Sequence, residues 1–142
     1  GGQIEVMGRE IDTVRQGNGV IWFEFKALCG GPRSQNDYLE IARGYPVVLL
    51  SHIPKMTPHQ ASEARRFTWL VDVLYDHRVK LIVTAAVKTD MLYPEGTHAS
   101  EFRRTVSRLI EMRSHEYLAS AHRRFETHAY AEANARPGMV PQ

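Results

Sequence analysis

The spacing of apolar positions changes along the chain, and each change predicts an element. Between Ile4 and Val14, apolar Ile4, Val6, Ile11 and Val14 stand among polar residues. Such alternation turns one side of a strand toward a core, and this stretch reads as one strand, or as two short ones broken near Gly8. Gln16-Gly17-Asn18-Gly19 follows. Asn-Gly accepts positive φ at both central positions of a tight hairpin, so Val20 to Phe25 is the predicted return strand. Gly30-Gly31-Pro32 breaks the chain. Ser34 and Asp37 have the form of a helix cap, which predicts a short helix to about Arg43, ended by Gly44, with Tyr38, Ile41 and Ala42 buried.

From Pro46 the pattern reads strand, helix, strand, helix. Val47-Val48-Leu49-Leu50 is a continuous apolar run, suited to a central strand buried on both faces. Thr57-Pro58-His59-Gln60 is a helix start, and the helix runs to about Asp76 with an apolar stripe of Ala61, Ala64, Phe67, Leu70, Val71 and Leu74. Val79 to Ala86 predicts a second buried strand, parallel to the first across a right-handed βαβ crossover. After a loop at Leu92–Gly96, a long helix is expected from about Ala99 to Ala121, with Phe102, Val106, Leu109, Ile110 and Leu118 inward. Periodicity fades beyond Arg124. The expected division is therefore a domain over 1–124 and a frayed tail over 125–142. The fold class is α/β: a layered sheet with at least two parallel strands flanked by helices, plus an N-terminal β-hairpin.

Composition narrows the reading. A chain of 142 residues, 43% hydrophobic and 24% charged, is one ordinary globular domain with enough length for a core. A net charge of +2 is too small to point to nucleic acid, although a pI near 8.8 leaves room for a local basic face. The single cysteine, Cys29, excludes an internal disulfide and a cysteine-based zinc site, and reads as a small buried residue. No apolar run approaches the roughly 18 residues of a membrane span, and the N-terminus lacks the form of a signal peptide. It starts Gly1-Gly2-Gln3 without an initiator Met, as a fragment or processed chain would.

Candidate chemistry begins with phosphate, because half of a nucleotide-binding α/β domain is what the pattern suggests. No glycine-rich loop ending in Gly-Lys-Ser/Thr is present to wrap backbone N–H groups around phosphates. The last helix is rich in arginine, and Arg104 and Arg108, four apart, share one of its faces. They have two readings: phosphate-facing guanidiniums that reach a nucleotide held elsewhere, or a solvated, ion-paired face. Arg65-Arg66 carries the same ambiguity, with Arg66 read as a flank.

Ligands of open α/β sheets gather beyond the carboxyl ends of the strands. Here those ends are Ser51-His52 and Ala85-Ala86, where an acidic pair and a polar sensor would be needed, so both are read as structure. The histidines (His52, His59, His77, His98, His115, His122 and His128) lack metal-binding spacing, and only His115 and His122 could share a helix face. No catalytic residue and no metal site is expected. Trp22 and Phe23, adjacent in one strand and so pointing to opposite sides, are candidate interaction residues; either a helix of this chain or another protein covers the outward one.

Several ordered segments then carry a resemblance: Gly19-Val20-Ile21-Trp22-Phe23-Glu24-Phe25, Gly31 to Tyr38, Glu63-Ala64-Arg65-Arg66-Phe67, Leu74-Tyr75-Asp76 and Glu101 to Met112. Together they resemble the C-terminal part of the ZapE-type AAA+ ATPases, relatives of the mitochondrial AFG/LACE-type ATPases, over about Ile4 to Leu118. The resemblance implies a longer cell-division protein that binds and hydrolyses ATP with Mg, forms homo-oligomers, associates with FtsZ and lies in the cytoplasm or peripherally at the division site. It also implies that the phosphate loop, the acidic Walker B motif, the sensor and the arginine finger lie upstream of the matched region. Many members have an acidic residue or pair near the position of Ser51-His52. Leu70 to Tyr93 echoes the family's sensor region, as a degenerate ATPase half kept for packing would. The chain alone is expected to hold neither ATP nor Mg and to be inactive. Its leading expected role is an accessory domain packed on the upstream nucleotide domain, and the alternative is a module that docks FtsZ or another division partner.

Overall fold

The computed structural model describes residues 1–124; the expected tail at 125–142 lies outside the described residues. The N-terminal stretch is two strands, β1 (Gly2–Val6) and β2 (Arg9–Thr13), paired antiparallel. Met7 and Gly8 turn between them at φ 51° and 78°, the pair of positive angles that matches strand twist. The hairpin is tied to the next layer by charge. Arg9 places one guanidinium nitrogen on both carboxylate oxygens of Asp37, at 3.1 and 2.8 Å, and Asp37 is itself buried.

A mixed sheet forms the centre, in the order β3 (Arg15–Gly17), β4 (Val20–Glu24), β5 (Val47–Ile53), β6 (Lys80–Ala85). The Asn-Gly turn joins β3 and β4 antiparallel, with Asn18 at φ 54° and Gly19 at φ 80°. β4, β5 and β6 are parallel. The α/β class and the N-terminal hairpin are as the sequence predicts. The return strand is shorter than predicted: it stops at Glu24, and Phe25 opens a one-turn helix, α1 (Phe25–Cys29).

Helix α2 (Gln35–Gly44) begins at Ser34, whose Oγ accepts from the Asp37 N–H while Asp37 Oδ2 accepts from the Ser34 N–H. This capping box satisfies two orphan donors at once. The Thr57 start is a 3-10 turn over Pro58–Gln60 that leads into α3 (Ala61–Asp76). α3 buries Ala64, Phe67, Leu70, Val71, Val73 and Leu74. Phe67 lies between Phe25 and Phe102, with ring centroids 6.0 and 6.1 Å away.

Two expectations are corrected. β6 is not a strand buried on both faces: among the described residues it is the last strand of the sheet, and Ile82 and Val83 are 56% and 39% exposed. The long last helix is two helices, α4 (Ala99–Glu111) and α5 (His115–Ala119). Ser114 separates them, because its side chain accepts from the Tyr117 N–H and starts a new helix. The new phase buries Tyr117 and leaves Leu118 outside. Ile110 is also exposed, since the buried stripe of α4 is Phe102, Thr105 and Leu109, continued by Met112. α5 is held by β6: Lys80 Nζ donates to the carbonyls of Arg78, Tyr117 and Ser120 at 2.8–3.0 Å, and Tyr117 Oη donates toward the carbonyls of Leu74 and Val79.

Candidate functional site

Register across the parallel strands sorts their side chains into two faces. Phe23, Leu50 and Val83 form one cross-strand row, and Trp22, Leu49 and Ile82 form the next. Phe23 and Leu50 are almost fully buried, whereas Trp22 and Leu49 are half-buried and Ile82 is exposed. The two candidate interaction residues are therefore separated: Phe23 belongs to the core and Trp22 to the open face. Val20 and Val47, paired beside them, are also only half-buried. Trp22 Nε1 donates to Ser51 Oγ at 2.8 Å, which satisfies the indole and leaves its ring as apolar surface.

At the carboxyl ends of β4, β5 and β6, Glu24, Ser51, His52 and Thr84 come together. Pairing between β5 and β6 slips between Leu50 and Ile53. His52 has φ 60°, a left-handed backbone that a residue with a Cβ rarely adopts. Its N–H donates to Thr84 Oγ1 at 2.8 Å, and its Nδ1 lies 2.6 Å from Glu24 Oε2. The hydrogen bond to His52 is the main cause that holds the Glu24 carboxyl below its ordinary pKa. Beside the pair is a cleft of about 330 Å³, bordered also by Lys26, Gln60 and Glu63. Strand register alone brings Glu24 to His52, so no local motif in the sequence announces the pair.

The two arginine candidates converge on one carboxylate. Arg108 Nη1 pairs with Asp72 Oδ1, and Arg104 Nη2 lies 3.5 Å from Asp72 Oδ2. The Arg108 guanidinium carbon also lies 5.0 Å from the ring centroid of Tyr75, whose hydroxyl donates to Glu111 at 2.5 Å. Arg108 is 23% exposed and Arg104 is 69% exposed. Asp72 and Tyr75 thus engage Arg108 between α3 and α4, while Arg104 extends toward solvent. The sequence missed Asp72 because its pairing is across helices. Of the other pair, Arg65 stacks over Trp69, and Arg66 Nε donates to the Cys29 carbonyl at 2.7 Å.

Cys29 is fully buried, and burial pushes its thiol up to about 12, which makes it a poor nucleophile at neutral pH. His115 begins α5, whereas His122 lies beyond it, with Nε2 2.5 Å from the Ala42 carbonyl; they share no helix face. His128 lies outside the described residues. Among the described residues no group of three or more His, Cys, Asp or Glu could hold a metal ion, and no helix is long and apolar enough to cross a membrane.

Comparison with known proteins adds kinship to this geometry. A family model described as AFG1-like ATPase matches residues 1–121. The cell division protein ZapE of Escherichia coli K12 is 40% identical over 119 residues, covering 84% of this chain and 32% of the relative. Lactation elevated protein 1 homolog B of Danio rerio is 30% identical, over 84% of this chain and 30% of its own length. An uncharacterized protein of Schizosaccharomyces pombe is 39% identical over 92 residues, 65% of this chain and 20% of the relative. The chain thus spans about a third or less of the curated relatives it matches. No solved structure matches it.

Proposed function

The chain belongs to the AFG1-like ATPase family, and from that premise we propose that it is the C-terminal α/β part, residues 1–124, of a longer ZapE-like cell-division ATPase, accessory to a nucleotide domain that precedes it. The observation that carries this reading is the open half of the sheet. Parallel sheets are ordinarily covered on both faces, yet Trp22, Leu49 and Ile82 form an apolar row that is only partly buried or exposed, and β6 has a strand partner on one edge only among the described residues. Packing on the upstream domain would remove both from water. Arg104, mostly exposed and on Asp72 only at 3.5 Å, is the guanidinium that would extend toward a nucleotide held there, while Arg108 braces α4 on α3.

On this reading ATP and Mg belong to the whole protein, which works in the cytoplasm or at the division site and assembles as a homo-oligomer. The isolated chain neither binds ATP tightly nor turns it over. The test compares that chain with the same residues inside the longer protein by hydrogen exchange and ATP hydrolysis. Protection of 80–85 and of the Trp22 strand in the longer protein, with turnover there and none in the isolated chain, is the expected result. Turnover by the isolated chain, or equal exchange in both settings, refutes the reading. Capture of FtsZ by the isolated chain, lost in Trp22→Ala and kept in Arg104→Ala, would assign the open row to a division partner instead.

A further inference from the structure

Ile82 and Val83 are neighbours in β6, so they point to opposite faces of the sheet, yet both are exposed, by 56% and 39%. A layer laid over the open face would cover Ile82 and leave Val83 as it is, because Val83 stands in the row of Phe23 and Leu50, on the core face. Exposure on both faces at once is the mark of an unpaired sheet edge. The backbone agrees. Lys80 N–H donates to the Pro46 carbonyl and Ala86 N–H to the Ile53 carbonyl, so Lys80, Ile82 and Thr84 turn their peptide groups to β5, while Leu81 and Val83 present theirs to the outer side. Natural edge strands are blunted by charge, proline or brevity. Leu81-Ile82-Val83-Thr84-Ala85 has no charge and no proline, and Lys80 before it is turned onto the carbonyls of Tyr117 and Ser120.

A groove of about 620 Å³ borders β6 on the core side, with Val83, Val87, Leu109 and Ile110 along it. Lys88 and Arg113 also line it, and neither side chain has a carboxylate partner among the described residues. Asp90 is the one acidic residue of its lining. We propose that β6 is not the edge of the finished sheet: an extended apolar segment with an acidic residue, from the part of the longer protein that precedes this chain, adds to its outer side as a further strand. The proposal rests on the reading of the chain as the C-terminal part of a longer protein. The matched region is 32% of the Escherichia coli relative, so most of such a protein is available to supply the segment. Its peptide groups meet those of Leu81 and Val83. Its side chains alternate, one set extending the row of Trp22, Leu49 and Ile82, the other entering the groove against Val83 and Ile110. The acidic residue lies on the groove side, where Lys88 and Arg113 meet it. A second copy of this chain is the poorer occupant, because pairing two β6 edges brings the same unpaired cations of both molecules to one joint.

The test uses the longer protein and hydrogen exchange resolved to single amides along β6. Ile82 and Thr84, turned to β5, are the internal reference. With the strand in place, Leu81 and Val83 exchange as slowly as that pair, within about tenfold; a larger gap overturns the proposal. Hydroxyl-radical footprinting of Trp22 in the same protein separates the two readings. A protected Trp22 with fast Leu81 and Val83 removes the strand and keeps the packed domain, whereas an unprotected Trp22 with the same fast amides refutes the packed domain as well. Carbodiimide, which joins an amine to a carboxylate in contact with it, identifies the segment: Lys88 should link to an Asp or Glu of the preceding part of the same protein. No link, a link only to Asp90, or a link to a different protein overturns the assignment. Val83→Pro should lower the yield of that link by about tenfold or more, because proline blocks pairing on the outer side and takes no bond from β5. A yield unchanged in Val83→Pro also overturns the proposal.

Discussion

On one face of the central sheet, Phe23 and Leu50 belong to the buried core and are all but excluded from water. One residue away along the same strands, Trp22 and Leu49 keep part of their surface exposed, and Ile82 beside them keeps more than half. Alternation in a strand guarantees two faces, but it does not guarantee two partners. The apolar run Val47-Val48-Leu49-Leu50 is therefore a statement about the finished protein, and the described residues supply the cover for only one of its faces. The same contrast recurs among the cations: Arg108 is engaged within the covered layer and Arg104 stands at its margin.

Substitutions can break or sharpen that contrast. The largest effect belongs to Phe67→Ala, which removes a buried ring lying between Phe25 and Phe102; urea denaturation of the isolated chain should show a loss of about 3–5 kcal/mol. A loss below about 1 kcal/mol would mean that the covered face is not close-packed. Next is Asp72→Ala, which leaves the partly buried Arg108 without its carboxylate and should cost about 1–3 kcal/mol. Arg104→Ala should stay within about 0.5 kcal/mol by the same measurement, and equal losses would erase the distinction between the two arginines.

A pH series probes the covered layer differently. Burial holds the His77 pKa below its ordinary value, against an opposing contribution from the backbone carbonyl of Val73 and from Asp76. The unfolded chain then binds the proton more readily than the folded one, so His77 favours folding above pH of about 6.5 and this contribution is lost as the pH falls below that. Burial raises Asp76, which favours folding in the opposite direction and in a more acidic window. Stability measured by denaturation should therefore decline from pH 7 toward pH 5, and His77→Gln should flatten that decline; an unchanged slope would remove His77 as its source. The smallest effect is expected at the open face. Ile82→Ser should alter the stability of the isolated chain by no more than about 0.5 kcal/mol, yet cost more once the rest of the longer protein is present. A large loss in the isolated chain would show that the open row is already covered.

Local signals were legible where the physics is local. Ser34 and Asp37 announce a capping box, and Asn18-Gly19 announces a turn, because each depends on neighbours a few residues apart. The βαβ order follows from apolar runs joined by an amphipathic helix. What the pattern cannot carry is the identity of the facing layer. Nothing in Val79 to Ala86 distinguishes a central strand from one at the sheet's edge, so its burial was overestimated. Ser114 lies within an otherwise continuous helical pattern, and only the competing cap to Tyr117 ends the helix there. The candidate site divides in the same way. Arg104 and Arg108 could be paired from their spacing, while Asp72 and the Glu24–His52 contact are set by helix packing and strand register over separations of 28 to 36 residues.

The clasp of Lys80 on α5 has a consequence for how the chain is made. A helix of five residues does not persist alone in water, and α5 takes its place only when Lys80 and the carbonyls of Leu74 and Val79 are met by Tyr117 and Ser120, 37 to 43 residues later in the chain. During synthesis, which proceeds from the N-terminus, β6 therefore leaves the ribosome before the segment that holds its Lys80. Closure waits on translation past Ser120, and a nascent chain halted between Ala85 and Ser114 would expose the β6 end of the sheet to chaperones and proteases.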